Sequence, residues 1–470
     1  ELNEYGFCRT DRLSPLQTSR PGIFVAGVFQ EPKDIPETVT QASAAAAMSM
    51  EMLAAARNTL IAKKEYPPER DITDEEPRIG VFVCHCGINI ASTVDVERVT
   101  AAVSGDPHVV FATHTMYACS DASLSAVRQA IVDHRLNRIV VASCTPRTHE
   151  PLFRETLREA GLNPFLFELS NIRDQCSWVH ASEPESATGK AVELVRMSIA
   201  RARLLGPQTG ESLAINQAGL VIGGGLSGMT AALSLADQGF TTHLVERTGR
   251  LGGHLADIHG TLEHEDITDF TGRLLKRVRT HPRLKLHLNT EVARIAGHVG
   301  KFAVSLAGNG RTEEVPCGAI IVATGAERAD TAEYRLHENG NVMTQVELEQ
   351  RLKDGAFDGS AKNIVMIQCV GSRNGERAYC SRLCCSMAIK NALTIRKKHP
   401  EADVYVLYRD IRTYGFREKY YRQARQAGVV FIRYDESRPP VVADDKGLLV
   451  SLTSPDFPEP IEIEADRVVL

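Results

Sequence analysis

The sequence has no strong excess of charge of either sign, no basic cluster and no long apolar run. A formal net charge of −5 over 470 residues, without a Lys/Arg block, argues against a nucleic-acid or anionic-membrane partner. No apolar run approaches the roughly 18 residues that a spanning helix needs, so no membrane span is expected. Eleven cysteines are too few for a disulfide-dense secreted scaffold of this length, and many for a chain kept in a reducing compartment. The chain begins Glu1-Leu2-Asn3, without an initiator Met, and stops inside the apolar run Arg467 to Leu470. Both ends are therefore expected to be cut, and the missing signal peptide excludes little.

Hydrophobic residues make up 43% of the chain and charged residues 24%, as in an ordinary globular protein, and the length predicts two to four domains. The stretch that organises it runs from Gly219 to Thr230. An apolar run, Leu220 to Ile222, enters Gly223-x-Gly225-x-x-Gly228 through Leu226 and Ser227, and a helical segment, Met229 to Asp237, leaves it. After a turn at Gln238-Gly239 a second apolar run, Thr241 to Val245, ends on Glu246. This is a βαβ unit for a dinucleotide. Gly223 permits the tight turn, Gly225 the close approach of backbone to a pyrophosphate, and Gly228 close helix–strand packing. The helix N-terminus offers free N–H groups to the phosphates. Glu246 is placed to accept the ribose hydroxyls.

The glycine pattern alone does not choose between FAD and NAD. Arg247 to His254 adds a second glycine pair, Gly252-Gly253, where backbone passes close to a cofactor. Val292 follows the strand Leu284 to Leu288 at a place suited to holding an adenine by its backbone. A small hairpin near Lys301 to Ser305 precedes the strand and Ala323-Thr324-Gly325 segment that closes the first half of a flavin domain. In this order the segments favour FAD.

The cysteines fall in two groups, with Cys8 and Cys317 alone. Residues 78–210 alternate strands with helices and predict a small parallel α/β domain, behind a charged, Pro-containing linker at 61–77. Cys84, Cys86 and Cys144 lie just past strand ends and Cys119 in a loop, at the sheet edge where ligands bind. Cys176 either joins them or packs inertly. In the second half of the flavin domain, the strand Asn363 to Gln368 is followed by Cys369, Cys380, Cys384 and Cys385, spaced C-x10-C-x3-C-C, where a nicotinamide site would need glycines. Thiolates suit an iron–sulfur cluster or zinc, and the spacing fits zinc knuckles less well. Redox-active or inert thiols remain alternatives. Residues 1–60 read as a strand at 22–27 and a helix from Thr38 to Arg57, an element that closes a flavin site; by chain order they are the C-terminal remnant of a preceding FAD domain.

Val81 to Ile90, Val141 to Pro151 and Asn171 to His180 resemble the N-terminal domain of the heterodisulfide reductase A-subunit. Gln368 to Arg373, Tyr379 to Cys385 and Tyr408 to Gly415 resemble its flavin domain. The resemblance spans residues 78–470 and implies a cytoplasmic subunit with FAD in a thioredoxin-reductase-like domain and [4Fe–4S] clusters. Its implied partners are the other subunits of such a complex and a ferredoxin, hydrogenase or dehydrogenase donor; a homodimer is compatible with it. By position, Cys369, Cys380, Cys384 and Cys385 match the family's cluster motif, and Cys84, Cys86, Cys119, Cys144 and Cys176 supply the other cluster. No catalytic side chain is assigned. The expected fold is α/β: a small parallel domain, then a two-part Rossmann-like FAD domain over 218–470. The parent is expected to be a tandem fusion of two such units, with this chain a window across their junction.

Two departures weigh on electron bifurcation. The region 301–320 holds only a hairpin instead of a ferredoxin-like insert, and residues 254–264 carry no cysteine. Conversion of two-electron to one-electron transfer is the safer expectation. The alternatives are a stand-alone NAD(P)H-dependent flavin disulfide reductase and a non-catalytic zinc-binding scaffold.

Overall fold

Short strands buried on both faces, alternating with amphipathic helices, can be covered only by helices on either side, which makes the sheets parallel. The computed structural model describes residues 1–263, 266–357 and 359–470, so His264 of the stretch 254–264 lies outside the described residues. The chain divides into two units, Ile61–Leu213 and a second formed by Glu1–Leu60 together with Ala214–Leu470.

Residues 1–60 carry one long helix, α1 (Ile35–Met52). Asp34 caps it by accepting the Glu37 N–H, and Pro36 lies in the first turn, where a missing N–H costs nothing. These two residues start the helix earlier than Thr38. A strand at 22–27 does not form. Gly22 and Gly27 both turn the backbone with positive φ, only a Gln17–Phe24 bridge pairs, and Gly27–Phe29 is a 3-10 turn. In the structure this segment packs in one unit with residues 214–470. Tyr5 stacks on Phe416 at 5.5 Å, Arg57 lies 4.8 Å over the Phe240 ring, and Glu37 meets Arg382 at 2.8 Å.

The unit of residues 61–213 has the order β1 (Ile79–Cys84), α2 (Val96–Val103), β2 (Val109–Thr115), α3 (Asp121–Asp133), β3 (Arg138–Ser143), α4 (Pro146–Glu159), β4 (Phe167–Asn171) and α5 (Pro184–Ala202). The sheet runs β2-β1-β3-β4, all parallel, with every residue of β1 and β3 buried. The stretch 61–77 has neither helix nor strand, yet it is tied down. Ile72 enters the core beside Leu136 and Leu162, and Lys64 meets Glu155 at 2.9 Å.

In the other unit, β5 (Gly219–Ile222), α6 (Leu226–Asp237), β6 (Thr242–Glu246), α7 (Thr268–Thr280) and β7 (Leu284–Leu288) lead into an antiparallel insert. That insert is β8 (Thr290–His298), β9 (Lys301–Gly308) and β10 (Arg311–Cys317), before β11 (Ala319–Val322). The parallel sheet is β11-β5-β6-β7. The insert has three strands where a hairpin is expected, because β8 follows β7 directly and pairs along β9. The second half repeats the plan. Its elements are β12 (Val342–Met343), α8 (Gln345–Asp354), β13 (Asn363–Ile367), α9 (Cys384–Lys398), β14 (Asp403–Tyr408), α10 (Glu418–Gln426), β15 (Val430–Arg433), the antiparallel β16 (Val441–Asp444), β17 (Leu448–Leu452) and β18 (Ile461–Ala465), and β19 (Arg467–Val469). The parallel order is β12-β19-β13-β14-β15. The fold is therefore α/β and Rossmann-like in two parts.

A buried ion pair fastens the 253–263 loop to this second half. Lys390 of α9 meets Glu349 of α8 at 2.6 Å, their side chains 12% and 6% exposed. Glu349 also accepts the His259 N–H at 2.8 Å, and Lys390 donates to the Gly260 carbonyl at 3.1 Å. With its polar atoms largely paired in place, such a pair is costly to break from one side.

His243 of β6 is buried against His287 of β7, with Nδ1 and Nε2 2.9 Å apart and the rings stacked. Burial first, then the neighbouring His287 and Lys285, lowers its pKa to about 4. The unfolded chain takes up this proton near the ordinary value while the folded chain does not. Stability from this residue is therefore present above the unfolded pKa and is lost as pH falls from about 6.5 towards about 4. Denaturant unfolding of the wild type should lose about 2 kcal/mol between pH 7 and pH 5 through this group. His243→Leu should flatten that slope, and an unchanged slope would rule the assignment out.

Candidate functional site

The first half builds its site at the carboxyl ends of β5, β6 and β11. Gly223, with φ +109°, turns the chain out of β5; a Cβ there would stand 2.3 Å from the Ala323 carbonyl oxygen. At Gly228, a Cβ would stand 1.8 Å from the Gly223 carbonyl oxygen. Both glycines are needed for the backbone to pack. Gly225 differs: a Cβ there would meet nothing within 4 Å. Gly225 is the N-cap of α6 and offers no side-chain cap, so the first N–H groups of the helix, from Leu226 and Ser227 on, are left to an incoming anion.

The second glycine pair lies against the first. Gly225 and Gly252 form a parallel bridge, the Gly252 N–H donates to the Gly224 carbonyl at 2.8 Å, and Gly253 would place a Cβ 3.2 Å from the Gly225 Cα. His254 Nε2 reaches the Ala326 carbonyl at 2.7 Å, which ties this loop to Ala323-Thr324-Gly325. The Ala323 N–H in turn donates to the Ile222 carbonyl at 2.8 Å. Three separated segments thus meet around one rim.

Glu246, at the end of β6, accepts the Gly224 N–H through one oxygen at 2.8 Å and the Thr248 N–H and hydroxyl through the other, each at 2.8 Å. Burial pushes its pKa up, but the Thr248 and Gly224 hydrogen bonds outweigh that and hold the carboxyl below its ordinary value. Arg247 faces solvent and pairs with Glu327 at 3.0 Å. Val292 of β8 packs beside Leu220 and Val245, linking the antiparallel insert to the parallel sheet. Gly224 and Thr248 are the contacts that sequence reasoning missed. The run of three glycines at 223–225 was the available signal for the first. A cavity of about 520 Å3 opens at the other end of this sheet, by Asn216, Gly239 and His243, away from the glycine loop.

Of the second-half cysteines, three are brought together. Cys384 opens α9, and its thiol shares a hydrogen bond with Cys385 while the Cys369 N–H also reaches it. These bonds, the Cys385 thiol's first, overcome burial and favour the Cys384 thiolate. The same contact and burial push Cys385 up. Cys369 feels the charge of Cys384, with burial the larger influence raising its pKa. Cys380 instead accepts the Arg382 N–H at 3.4 Å.

In the unit of residues 61–213, Cys84 accepts N–H groups from Cys86 at 3.2 Å and Ala118 at 3.3 Å. Burial raises its pKa first, and the charges of Cys86 and Cys119 add to that. Burial also raises Cys144, which lies close enough to feel Cys86 and Arg173. Cys176 belongs to the core cluster against which Cys86 packs. A π-helical turn, Arg173–Ser177, buries it in the core, where its thiol donates to the Ala187 carbonyl at 3.0 Å.

Among the described residues, no three His, Cys, Asp or Glu side chains stand ready to ligate a metal ion. The donor chemistry nonetheless fits a thiolate-held group. Among the described residues, the fully buried Gln368 amide next to Cys369 has no partner for either its oxygen or its nitrogen; next to Cys385, neither does the Ser386 hydroxyl. Buried polar atoms of this kind cost about 1–3 kcal/mol each when unpaired, and call for a ligand or water. Among the described residues, no helix is long and apolar enough to cross a membrane.

Glycine loop, carboxylate, second glycine pair and closing segment define a flavin-dependent oxidoreductase. Residues 220–402 match the family model for FAD-dependent oxidoreductases. The chain is 35% identical over 496 residues to the CoB–CoM heterodisulfide reductase iron-sulfur A-subunit 2 of Methanopyrus kandleri, covering 85% of this chain and 75% of that one. To the H2:CoB–CoM heterodisulfide,ferredoxin reductase A-subunit of Methanothermobacter marburgensis it is 34% identical, covering 86% and 75%. The chain belongs to the heterodisulfide reductase A-subunit family. A solved thioredoxin reductase from T. acidophilum covers 54% of this chain at 16% identity, with a TM-score of 0.37.

Two glycine substitutions separate packing from binding. Gly228→Ala should destabilise the fold by several kcal/mol, read as a lowered unfolding midpoint, because backbone must move. Gly225→Ala should cost about 1 kcal/mol or less in stability and still lower the FAD retained after gel filtration. Full FAD retention in Gly225→Ala would show that this face of the loop is not the cradle.

Proposed function

We propose that the chain is the flavin-bearing electron-transfer subunit of a heterodisulfide-reductase-like complex, changing electron pairs into single electrons. The observation that carries this reading is the gathering of Cys369, Cys384 and Cys385 in the same unit as the FAD glycine loop. When bound, FAD exchanges an electron pair, and [4Fe–4S] clusters exchange electrons singly. Residues Gly223 to Gly228 and Gly252 to Gly253 would hold the pyrophosphate, and Glu246 would orient the ribose. Cys369, Cys380, Cys384 and Cys385 would hold one cluster; Cys84, Cys86, Cys119 and Cys144 are the donors for the other, with Cys176 the structural member of its group. Other subunits of the complex, and a ferredoxin or dehydrogenase or hydrogenase donor, are the proposed partners, and bifurcation is left as an added capability of the assembled complex.

Two measurements test the reading. Anaerobically purified chain should show flavin bands together with about four or eight iron atoms per chain, since each cubane holds four. Flavin without iron would instead support a stand-alone flavin disulfide reductase using the Cys384–Cys385 pair, and zinc without flavin a scaffold. Cys384→Ser should lose one electron paramagnetic resonance signal and keep its FAD; unchanged iron content in that variant would remove the C-x10-C-x3-C-C segment from the cluster.

A further inference from the structure

Both cysteine groups share a local arrangement that their sequences do not. In each, one cysteine takes a left-handed backbone conformation and one arginine donates to its sulfur. Cys369 has φ +66°, and Arg373 Nη1 lies 3.8 Å from its Sγ. Cys86 has φ +49°, and Arg173 Nη1 lies 3.5 Å from its Sγ. A non-glycine residue at positive φ is held there against a cost of order 1–3 kcal/mol, and such residues cluster at functional sites. Arg373 itself sits at φ +57° and Arg382 at φ +64°, so the loop from Cys369 to Cys384 is bent at several forced points.

Neither arginine is a loose surface charge. The Arg373 side chain is 17% exposed, and Arg409 donates to its carbonyl at 2.8 Å. Arg409 is held in turn by the buried Tyr434 hydroxyl at 3.0 Å, which donates to the Gln368 carbonyl at 3.0 Å. On its far side Arg373 meets the half-exposed carboxylates Asp410 at 2.9 Å and Glu436 at 3.7 Å. Arg173 is 21% exposed, stacks 4.6 Å over Trp178, and has Asp174 at 3.6 Å. Asp410 and Glu436 are far better solvated than the Arg373 side chain, so the positive charge dominates on that thiol side; Asp174 lies beside Arg173 through its Nε, away from the Nη1 that faces Cys86.

We infer that Arg373 and Arg173 are paired charge-setting residues, each placed beside one thiol group to stabilise the more negative, reduced state of the group those thiols hold. This rests on the cluster reading above and adds to it which side chains set the potentials. Guanidinium suits the role because it stays charged at every working pH and can hydrogen-bond sulfur and carboxylate together. Removing a positive charge next to a site that gains an electron makes reduction harder, and removing a nearby negative charge makes it easier.

The test uses the full chain, purified anaerobically and titrated with dithionite while the electron paramagnetic resonance signals are followed. The signal missing in Cys384→Ser identifies the group beside Arg373. Arg373→Gln should lower the midpoint of that signal by at least a tenfold change in the reduction constant, about 59 mV for one electron, and leave the other signal in place. Arg173→Gln should move only the other signal. Arg373→Lys should restore most of the shift, and Asp410→Asn should move the same signal upward, an opposite sign that a merely structural role would not give. If Arg373→Gln fails to hold iron, the Asp410→Asn and Arg373→Lys titrations decide instead. Wild-type chain without iron overturns both readings. Iron-loaded wild type and variants with unmoved midpoints overturn this inference alone.

Discussion

The flavin unit depends on one contact, that of Gly228 against the Gly223 carbonyl oxygen. With any side chain at 228 that oxygen would lie 1.8 Å from a carbon atom, so α6 would have to lift from β5. The helix could then no longer present its first turn to a phosphate while the Ala323 carbonyl still closes over Gly223. Strand, helix and closing segment are set by backbone alone at this point. That is why the geometry tolerates so little change in residue type and why the rest of the rim can be built from ordinary side chains.

Much of this was legible because local pattern and tertiary contact agree. The alternation of apolar runs with helices places β5, β6, β7 and β13 within a few residues of their observed ends, and Glu246 follows from its position at the end of β6. Where the reading failed, the cause lay in distant parts of the chain. Nothing near Gly22 says that Gly27 will turn the backbone out of a strand, and nothing in residues 1–60 says that Tyr5 will stack on Phe416 or Arg57 on Phe240. The third strand of the antiparallel insert was hidden because Thr290 to His298 alternates too weakly to stand out from a loop; its pairing along β9 fixes it.

The cysteines show the limit more sharply. Spacing separates two groups but cannot sort the members. Cys176 shares a segment with Cys84, Cys86, Cys119 and Cys144, yet the π-helical turn at Arg173–Ser177 swings it into the core while carrying Arg173 to the Cys86 sulfur. In the other group the adjacent Cys384 and Cys385 do not behave alike: Cys384 opens α9 with the Cys369 N–H directed at it, and Cys385 is turned inward, its thiol towards the Asp410 carbonyl at 3.7 Å.

Glu246 bears on how the protein comes to hold its flavin. Both carboxylate oxygens are already engaged, one by Gly224 and the other by Thr248. The glycine loop is therefore clamped in its receiving shape from within, and the entropy of ordering it is spent when the chain folds and not when the nucleotide arrives. A nucleotide arriving at such a loop would have little further ordering to do there.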